Sequence, residues 1–198
     1  MNKNLLYTVN IISSINRSRT MKFLHKIFFL SATAASLFCG GCSSANSTEH
    51  IPSVTNFDLN RYLGVWYEIA RLPHSFERDV VNAQAEYILL PNGKIRVINR
   101  GTRNGKAAAA TGIAHIADKP DTGELAVSFF RPFYGTYRII YLDNDYQLAI
   151  VTSDTMDHLW ILARKPVITP EKLDECLNRL REWGFAVKLL QYPNGLPQ

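Results

Sequence analysis

The sequence predicts an all-β domain, an antiparallel sandwich or barrel that carries one C-terminal helix. Three observations lead there. Short segments rich in Val, Ile, Tyr and Phe recur at even spacing from Asn56 onward. Turn chemistry separates them, as in Pro91-Asn92-Gly93, Arg103-Asn104-Gly105, Pro120-Asp121-Thr122-Gly123, Asp143-Asn144-Asp145 and Ser153-Asp154. Several of the segments alternate apolar with polar residues, the period of a half-buried strand.

The first 41 residues read as an address rather than as part of that fold. Met21-Lys22-Phe23-Leu24-His25-Lys26 is basic, residues 27–38 are uncharged and mostly apolar, and Cys39-Gly40-Gly41-Cys42 follows. A basic head, an apolar run and small residues at a cleavage point make a secretory signal peptide over residues 1–41. The run is short for a bilayer span, which takes about 20 apolar residues. Met21 opens a complete signal, so residues 1–20 are expected to be an over-long start. Gly-Gly before Cys42 is similar to a bacterial lipoprotein processing site, with Cys39 standing where Leu is usual. That resemblance implies acylation of Cys42 and, with Ser43 next, sorting to the outer membrane of a Gram-negative cell, domain toward the periplasm. The competing reading is plain cleavage with Cys42 a free thiol. Several acyl chains would anchor the protein firmly, since one alone is marginal. Residues 42–54 are small and polar with no hydrophobic period, which predicts a flexible tether. Residues 55–198 are left for the domain.

Within the domain, eight strands are expected at residues 62–72, 82–90, 94–100, 106–116, 124–130, 134–142, 146–153 and 158–164. Ala107 to Ala110 alone would favour helix, but four residues between a turn and Thr111-Gly112 fit the hairpin context. One helix is legible: Thr169 can cap it, Pro170 suits the first helical position and Gly184 closes it. Leu173, Cys176, Leu177 and Leu180 make one apolar stripe on it. A short final strand is expected at residues 185–192.

Composition narrows the function. The formal charge of +5 arises from five bases in residues 1–41 (Lys3, Arg17, Arg19, Lys22 and Lys26), with no acid among them. From Cys42 onward 17 basic residues face 17 acidic ones, so no basic nucleic-acid surface is expected. The 22 aromatic residues can bury a core, which excludes disorder. There is no Gly-x-Ser-x-Gly elbow, no Cys/His cluster and no phosphate-cradling Gly loop. The sequence therefore offers no catalytic, cofactor or metal site. His74, His115 and His158 read as isolated rim or surface residues. No second titratable group is visible to face Glu68.

Asn56-Phe57-Asp58-Leu59-Asn60-Arg61-Tyr62-Leu63-Gly64-Val65-Trp66-Tyr67 resembles the first signature of the lipocalins, with its Gly-x-Trp core. Leu142-Asp143-Asn144-Asp145-Tyr146 is similar to their second motif, and Arg164 after Leu159-Trp160-Ile161-Leu162-Ala163 to their third. The three stand in the family's order and spacing. Trp66-Tyr67-Glu68-Ile69-Ala70-Arg71 and Phe129-Phe130-Arg131-Pro132-Phe133-Tyr134-Gly135 further resemble the bacterial outer-membrane lipoprotein lipocalins, relatives of apolipoprotein D. The resemblance implies an eight-stranded up-and-down barrel with the helix packed outside. It also implies a ligand of fatty acid or (lyso)phospholipid, stored or carried for outer-membrane maintenance. The competing readings are another small hydrophobic ligand, or a filled barrel acting as an interaction module.

Alternating strand direction brings Trp66, residues 143–146 and Arg164 to one barrel end. An Arg over an indole face would plug it, giving Gly64, Trp66 and Arg164 a structural role as the floor. Inward candidates by alternation include Ala83, Ala85, Tyr87 and Val97 on one side of the barrel. Gly112, Ala114, Val127 and Phe129 continue the lining, and Tyr137, Ile139, Tyr141 and Trp160 complete it. Ala83, Ala85, Gly112 and Ala114 leave volume that would suit an acyl chain. Glu68 shares the Trp66 face, so it should point inward and need a partner such as a barrel Arg or a ligand ammonium group. The opposite end should carry Phe76, Phe130, Phe133 and Tyr134 as an apolar rim. Such rims mark a membrane or a protein partner, and a homodimer contact is one reading of this one.

Overall fold

The computed structural model describes residues 46–195, apart from the side chain of Phe76. The expected signal peptide of residues 1–41 and the expected anchor Cys42 lie outside the described residues. A helical turn α1 (Leu59–Tyr62) leads into eight strands. These are β1 (Gly64–Arg71), β2 (Val80–Leu89), β3 (Ile95–Arg103), β4 (Lys106–Ile116), β5 (Glu124–Phe130), β6 (Phe133–Leu142), β7 (Leu148–Thr152) and β8 (Leu159–Ala163). Each pairs antiparallel with the next, and β8 returns to β1 with Tyr67 opposite Ala163 and Arg71 opposite Trp160. That last ladder decides between sandwich and barrel: the sheet is a closed eight-stranded up-and-down barrel.

Two apolar cores result. Inside the barrel, Tyr62, Trp66, Tyr87, Ile95, Leu125, Ile139 and Val151 pack together. Outside it, helix α2 (Pro170–Glu182) lays Leu173, Cys176 and Leu180 on Ile69, Ala70, Ile150 and Ile161. The Thr169 hydroxyl accepts from Lys172 N and caps the helix, as its sequence predicts. Burial pushes the Cys176 thiol up to about 12, which suits a packed side chain rather than a nucleophile.

Two expectations need correction. Residues 185–192 form no strand; a 3₁₀ turn at Val187–Leu189 is followed by a single bridge, in which Arg71 and Gln191 exchange backbone hydrogen bonds of 3.0 and 2.8 Å. After Gly184, with a positive φ of 86°, the 3₁₀ turn takes up the middle of that segment and leaves only Gln191 to pair with Arg71. Nor do residues 46–54 behave as a tether. Thr48 and Ile51 are buried, and the Arg138 guanidinium of β6 donates to Thr48 O (2.8 Å), Ile51 O (2.5 Å) and Ser53 Oγ (3.1 Å). A cation held by carbonyls fixes a segment that has no apolar period of its own.

The floor is built as its motifs require. The Arg164 guanidinium carbon lies 4.0 Å from the Trp66 ring centroid. Its nitrogens donate to Arg61 O (2.6 Å), Val65 O (2.9 Å) and Tyr146 O (3.2 Å). Trp66 is fully buried, and its Nε1 donates to Tyr62 O at 2.8 Å. Gly64 has a positive φ of 93°, and a Cβ there would stand 3.4 Å from Arg164 Nη1, so glycine suits both backbone and neighbour. Asp143 Oδ1 accepts from Gln147 N and Leu148 N and sets the β6–β7 turn beneath. Replacing Trp66 by Ala should lower unfolding stability by about 3–5 kcal/mol, measured in urea. A loss below about 1 kcal/mol would show that the indole is not a packed floor.

Candidate functional site

The lumen above that floor is the site. Directly paired residues on neighbouring antiparallel strands share a face, so the ladders give the lining. Trp66 faces Ala85, Ala85 faces Asn99 and Asn99 faces Ala110; one level along, Tyr87, Val97 and Gly112 are in line. Ala83, Ala85, Tyr87, Val97, Gly112, Ala114, Val127, Tyr137, Ile139 and Trp160 therefore line the interior as expected. Phe129 lies across Gly112, where an added Cβ would meet its ring at 2.9 Å. The lining is not all buried: Ala110 is exposed, and Ala85, Val127, Tyr137 and Trp160 are only partly covered. The barrel is thus not filled by its own side chains.

Tyr141 is not part of this lining. An extra residue in β6 shifts the register between Ile139 and Tyr141, so Ile139 pairs with inward Val151 and Tyr141 with outward Ile150. Tyr141 instead meets α2, with its hydroxyl 3.2 Å from Glu175 Oε1 and Arg179 4.4 Å over its ring.

A second bulge assembles a polar wall. Ile69 is the extra residue in β1, so Glu68 pairs with inward Leu162 and Arg71 with inward Trp160. Two residues three apart on a strand thus share the lumen face. Arg71 Nη1 binds Glu68 Oε1 at 2.5 Å, and its Nη2 donates to Glu77 O (2.9 Å) and Val80 O (3.0 Å). Arg71 is the partner that Glu68 needs, and it also pins the β1–β2 loop. That loop returns Glu77, whose Oε2 accepts from Trp160 Nε1 at 3.1 Å and lies 3.2 Å from His74 Nε2. His74 stacks near His158 and Trp160, with centroids 6.0 and 5.0 Å away. His74 and His158 are therefore members of one cluster, not isolated residues, and Glu77 is the second titratable group facing Glu68. No sequence signal marks it, because its placement depends on the bulge and a 3₁₀ turn at Ser75–Glu77. Burial raises the carboxyls of both Glu68 and Glu77, favouring a shared proton.

Deeper in, the Tyr137 hydroxyl lies 2.7 Å from that of Tyr62 and 2.8 Å from that of Tyr87. Three hydroxyls carry three donors and these two bonds use two, so one donor remains for whatever fills the lumen. Asn99 Oδ1, on the inward register of β3, is a buried acceptor with no partner among the described residues. At the mouth, Phe130, Phe133 and Tyr134 are between 36% and 43% exposed, in line with the expected rim. The Phe76 side chain lies outside the described residues. Among the described residues no group of three or more His, Cys, Asp and Glu side chains is placed to hold a metal ion, and no helix is long and apolar enough to cross a membrane.

A closed eight-stranded barrel with a capped floor, an open lumen and a helix on its flank defines a small-ligand-binding calyx. Residues 57–195 match the family model described as a lipocalin-like domain, and the chain belongs to the lipocalin family. It is 41% identical over 160 residues to outer membrane lipoprotein Blc of Escherichia coli (strain K12), which covers 80% of this chain and 90% of that protein. It is 40% identical over 131 residues to apolipoprotein D of Bos taurus, covering 62% of this chain and 68% of that one. Among solved structures, insecticyanin from the tobacco hornworm Manduca sexta superposes with a TM-score of 0.61 at 21% identity, over 73% of this chain and 84% of that one. That likeness shows the shared fold. The family's members are binding and transport proteins that hold small hydrophobic molecules, not enzymes.

The polar wall has a pH signature. Burial, then the neighbouring His158, lowers the pKa of His74 to about 3. Unfolded, that imidazole takes its proton near pH 6.5; folded, it does not. The stability it contributes is therefore complete above pH 6.5 and is lost as pH falls toward 3, about 2 kcal/mol by pH 5. The raised carboxyls act in the opposite sense, favouring the fold as pH falls. The comparison of wild type with His74→Gln isolates the imidazole: urea unfolding at pH 7 and pH 5 should show a smaller acid loss in the variant. Equal losses in the two proteins would refute the assignment.

Proposed function

We propose that this protein is an outer-membrane lipoprotein that holds one fatty acid or (lyso)phospholipid in its barrel, storing or carrying it for maintenance of that membrane. The observation that carries the reading is the unfilled, largely apolar lumen: inward-facing Ala110, Ala85, Val127 and Tyr137 keep accessible surface. An acyl chain matches such a space, while the hydroxyls of Tyr62, Tyr87 and Tyr137 and the Arg71 wall provide hydrogen-bonding partners for one polar group. A barrel acting only as an interaction module would have no use for interior surface left open. The anchor is Cys42, and the domain faces the periplasm. Relatives named as outer membrane lipoproteins, over 80% of this chain, support that location.

Two experiments test the two halves. Ala110→Trp fills the lumen where a side chain already has room. It should weaken binding of a fluorescent fatty acid at least about tenfold, a change of about 1.4 kcal/mol, without altering thermal unfolding. Unchanged affinity would place the ligand elsewhere. Gly112 cannot serve, because a Cβ there would come within 2.7 Å of Ser128 O. For the anchor, wild-type cells fed labelled palmitate should label the protein, and Cys42→Ala should abolish that label and release the protein to the periplasm. Label that persists in the variant would sink the assignment of Cys42.

A further inference from the structure

The N-terminal segment and the apolar rim sit at the same end of the barrel, and together they fix how it meets a membrane. Met156 N donates to Asn46 O at 3.0 Å, Asn46 Nδ2 donates to Asp157 Oδ2 at 2.7 Å, and Thr48 N donates to Asp154 O at 3.2 Å. Asn46 is thus pinned to the β7–β8 loop. That loop is at the mouth, beside the β1–β2 loop, where His158 lies against His74. Asn46 is four residue steps from Cys42, a reach of at most about 14 Å. Strand β2 has 10 residues. At about 3.3 Å each and the usual barrel tilt, mouth and floor are about 25 Å apart. A lipid-anchored Cys42 therefore cannot let the barrel stand on its floor; the mouth half stays within reach of the leaflet.

The mouth suits that leaflet. Phe130 and Phe133, at the tip of the β5–β6 hairpin, stack with centroids 6.4 Å apart and planes 4° from parallel. At this tip, beyond the closed part of the barrel, they keep 38% and 43% of their surface exposed. Arg131 between them is exposed, as are Arg78 and Lys106 toward the neighbouring β1–β2 and β3–β4 loops. Of the exposed acids at the mouth, Asp79 is in the β1–β2 loop and Asp154 and Asp157 are in the β7–β8 loop, so the hairpin tip itself carries only a base. Apolar tips flanked by bases match acyl chains beneath anionic head groups.

We propose that the β5–β6 hairpin, through Phe130, Phe133 and Arg131, inserts into the lipid leaflet that holds the acyl chains of Cys42, so that the lumen opens directly onto that leaflet. The proposal rests on the anchoring reading but not on the identity of the ligand.

The test uses the full chain, purified from membranes and reconstituted in vesicles of phosphatidylethanolamine and phosphatidylglycerol. A bimane is placed on Phe133→Cys at the rim or on Asn92→Cys in the exposed β2–β3 turn at the floor. Cys176 is buried, and the same labelling of the chain without an introduced cysteine gives the signal from any unacylated Cys42, which is subtracted. Acyl-chain spin-labelled lipid should quench the rim label at least about twofold more than the floor label, as expected for side chains sunk about 5–10 Å into the interface. Equal quenching at both ends, or none at the rim, overturns the proposal. So does a disulfide that links two unlabelled Phe133→Cys chains on the vesicles under mild oxidation by copper phenanthroline, which gives the face to a second copy. Palmitate labelling of the same preparation reports the anchor separately. Protein without palmitate that is still quenched at the rim keeps the docking and removes the anchor; protein without palmitate that leaves the vesicles overturns both.

Discussion

The ladder between β1 and β8 is the constraint on which everything else depends. It joins Tyr67 to Ala163, 96 residues apart, so closing it costs about 4 kcal/mol of chain entropy. The compensation is concentrated at the floor. Arg164 stands just after β8 and reaches the carbonyls of Arg61 and Val65 on either side of the start of β1, with Trp66 under its guanidinium. Bonds from a charged donor are worth about 1.5–3 kcal/mol each. Two of them therefore offset the closure before any apolar burial is counted. Closure also dictates the two faces: each strand must send alternate residues inward, and the lumen exists because that inward set includes Ala83, Ala85, Ala110 and Gly112.

The parts of this design that were legible in the sequence are those written in local chemistry. Gly64, Trp66 and Arg164 could be assigned because they stand in motifs that resemble the family's and because alternating strand direction brings them to one barrel end. The strands were legible from alternation and turns, and α2 from its cap and stripe. What escaped depends on phase or on remote partners. One extra residue in β6 turns Tyr141 out of the lumen, and one in β1 turns Arg71 into it. Neither bulge has a glycine or proline to mark it. Residues 46–54 are polar and small, so by themselves they read as a tether. Their order comes from Arg138, some 85 residues away, whose own sequence context says only that it lies on a strand. Glu77 escaped for the same reason, since its carboxylate reaches the lumen by way of a loop that Arg71 holds.

That loop gives the lumen two unlike walls. Across most of its circumference it is lined by Ala, Val, Ile and Phe, yet near the mouth Glu68, Arg71, Glu77, His74 and Trp160 form a buried, interlinked polar group. Burying such a group is costly unless its members satisfy one another. Here Arg71 is held by one carboxylate and two carbonyls, while Glu77 receives an indole N–H. Removing Arg71 would leave two buried acids facing each other, whereas the shared proton lets the pair persist with Arg71 present. A lumen with this asymmetry is suited to an amphiphile more than to a pure hydrocarbon, because only an amphiphile uses both walls.

The strap made by residues 46–57 ties these features into one mechanical unit. It starts at the β7–β8 loop beside the mouth and passes over Arg138 on β6. Val54 N then bonds Ile139 O (2.9 Å) and Phe57 N bonds Asp121 O (2.8 Å), and the strap ends at the floor against Tyr62 and Tyr146. A pull on the N-terminus is therefore borne along the full height of the barrel and not by one loop. An unattached 12-residue tether would let the barrel tumble and present any face to the membrane. Residues 46–54 are pinned instead, so that under the proposed anchoring at Cys42 the attachment would also set an orientation. The loss of freedom costs the strap residues about 1–2 kcal/mol of backbone entropy each. The Arg138 bonds, the backbone bonds to Ile139, Asp121 and Asp154, and burial of Ile51 and Phe57 oppose that loss, and all of them are made within the domain.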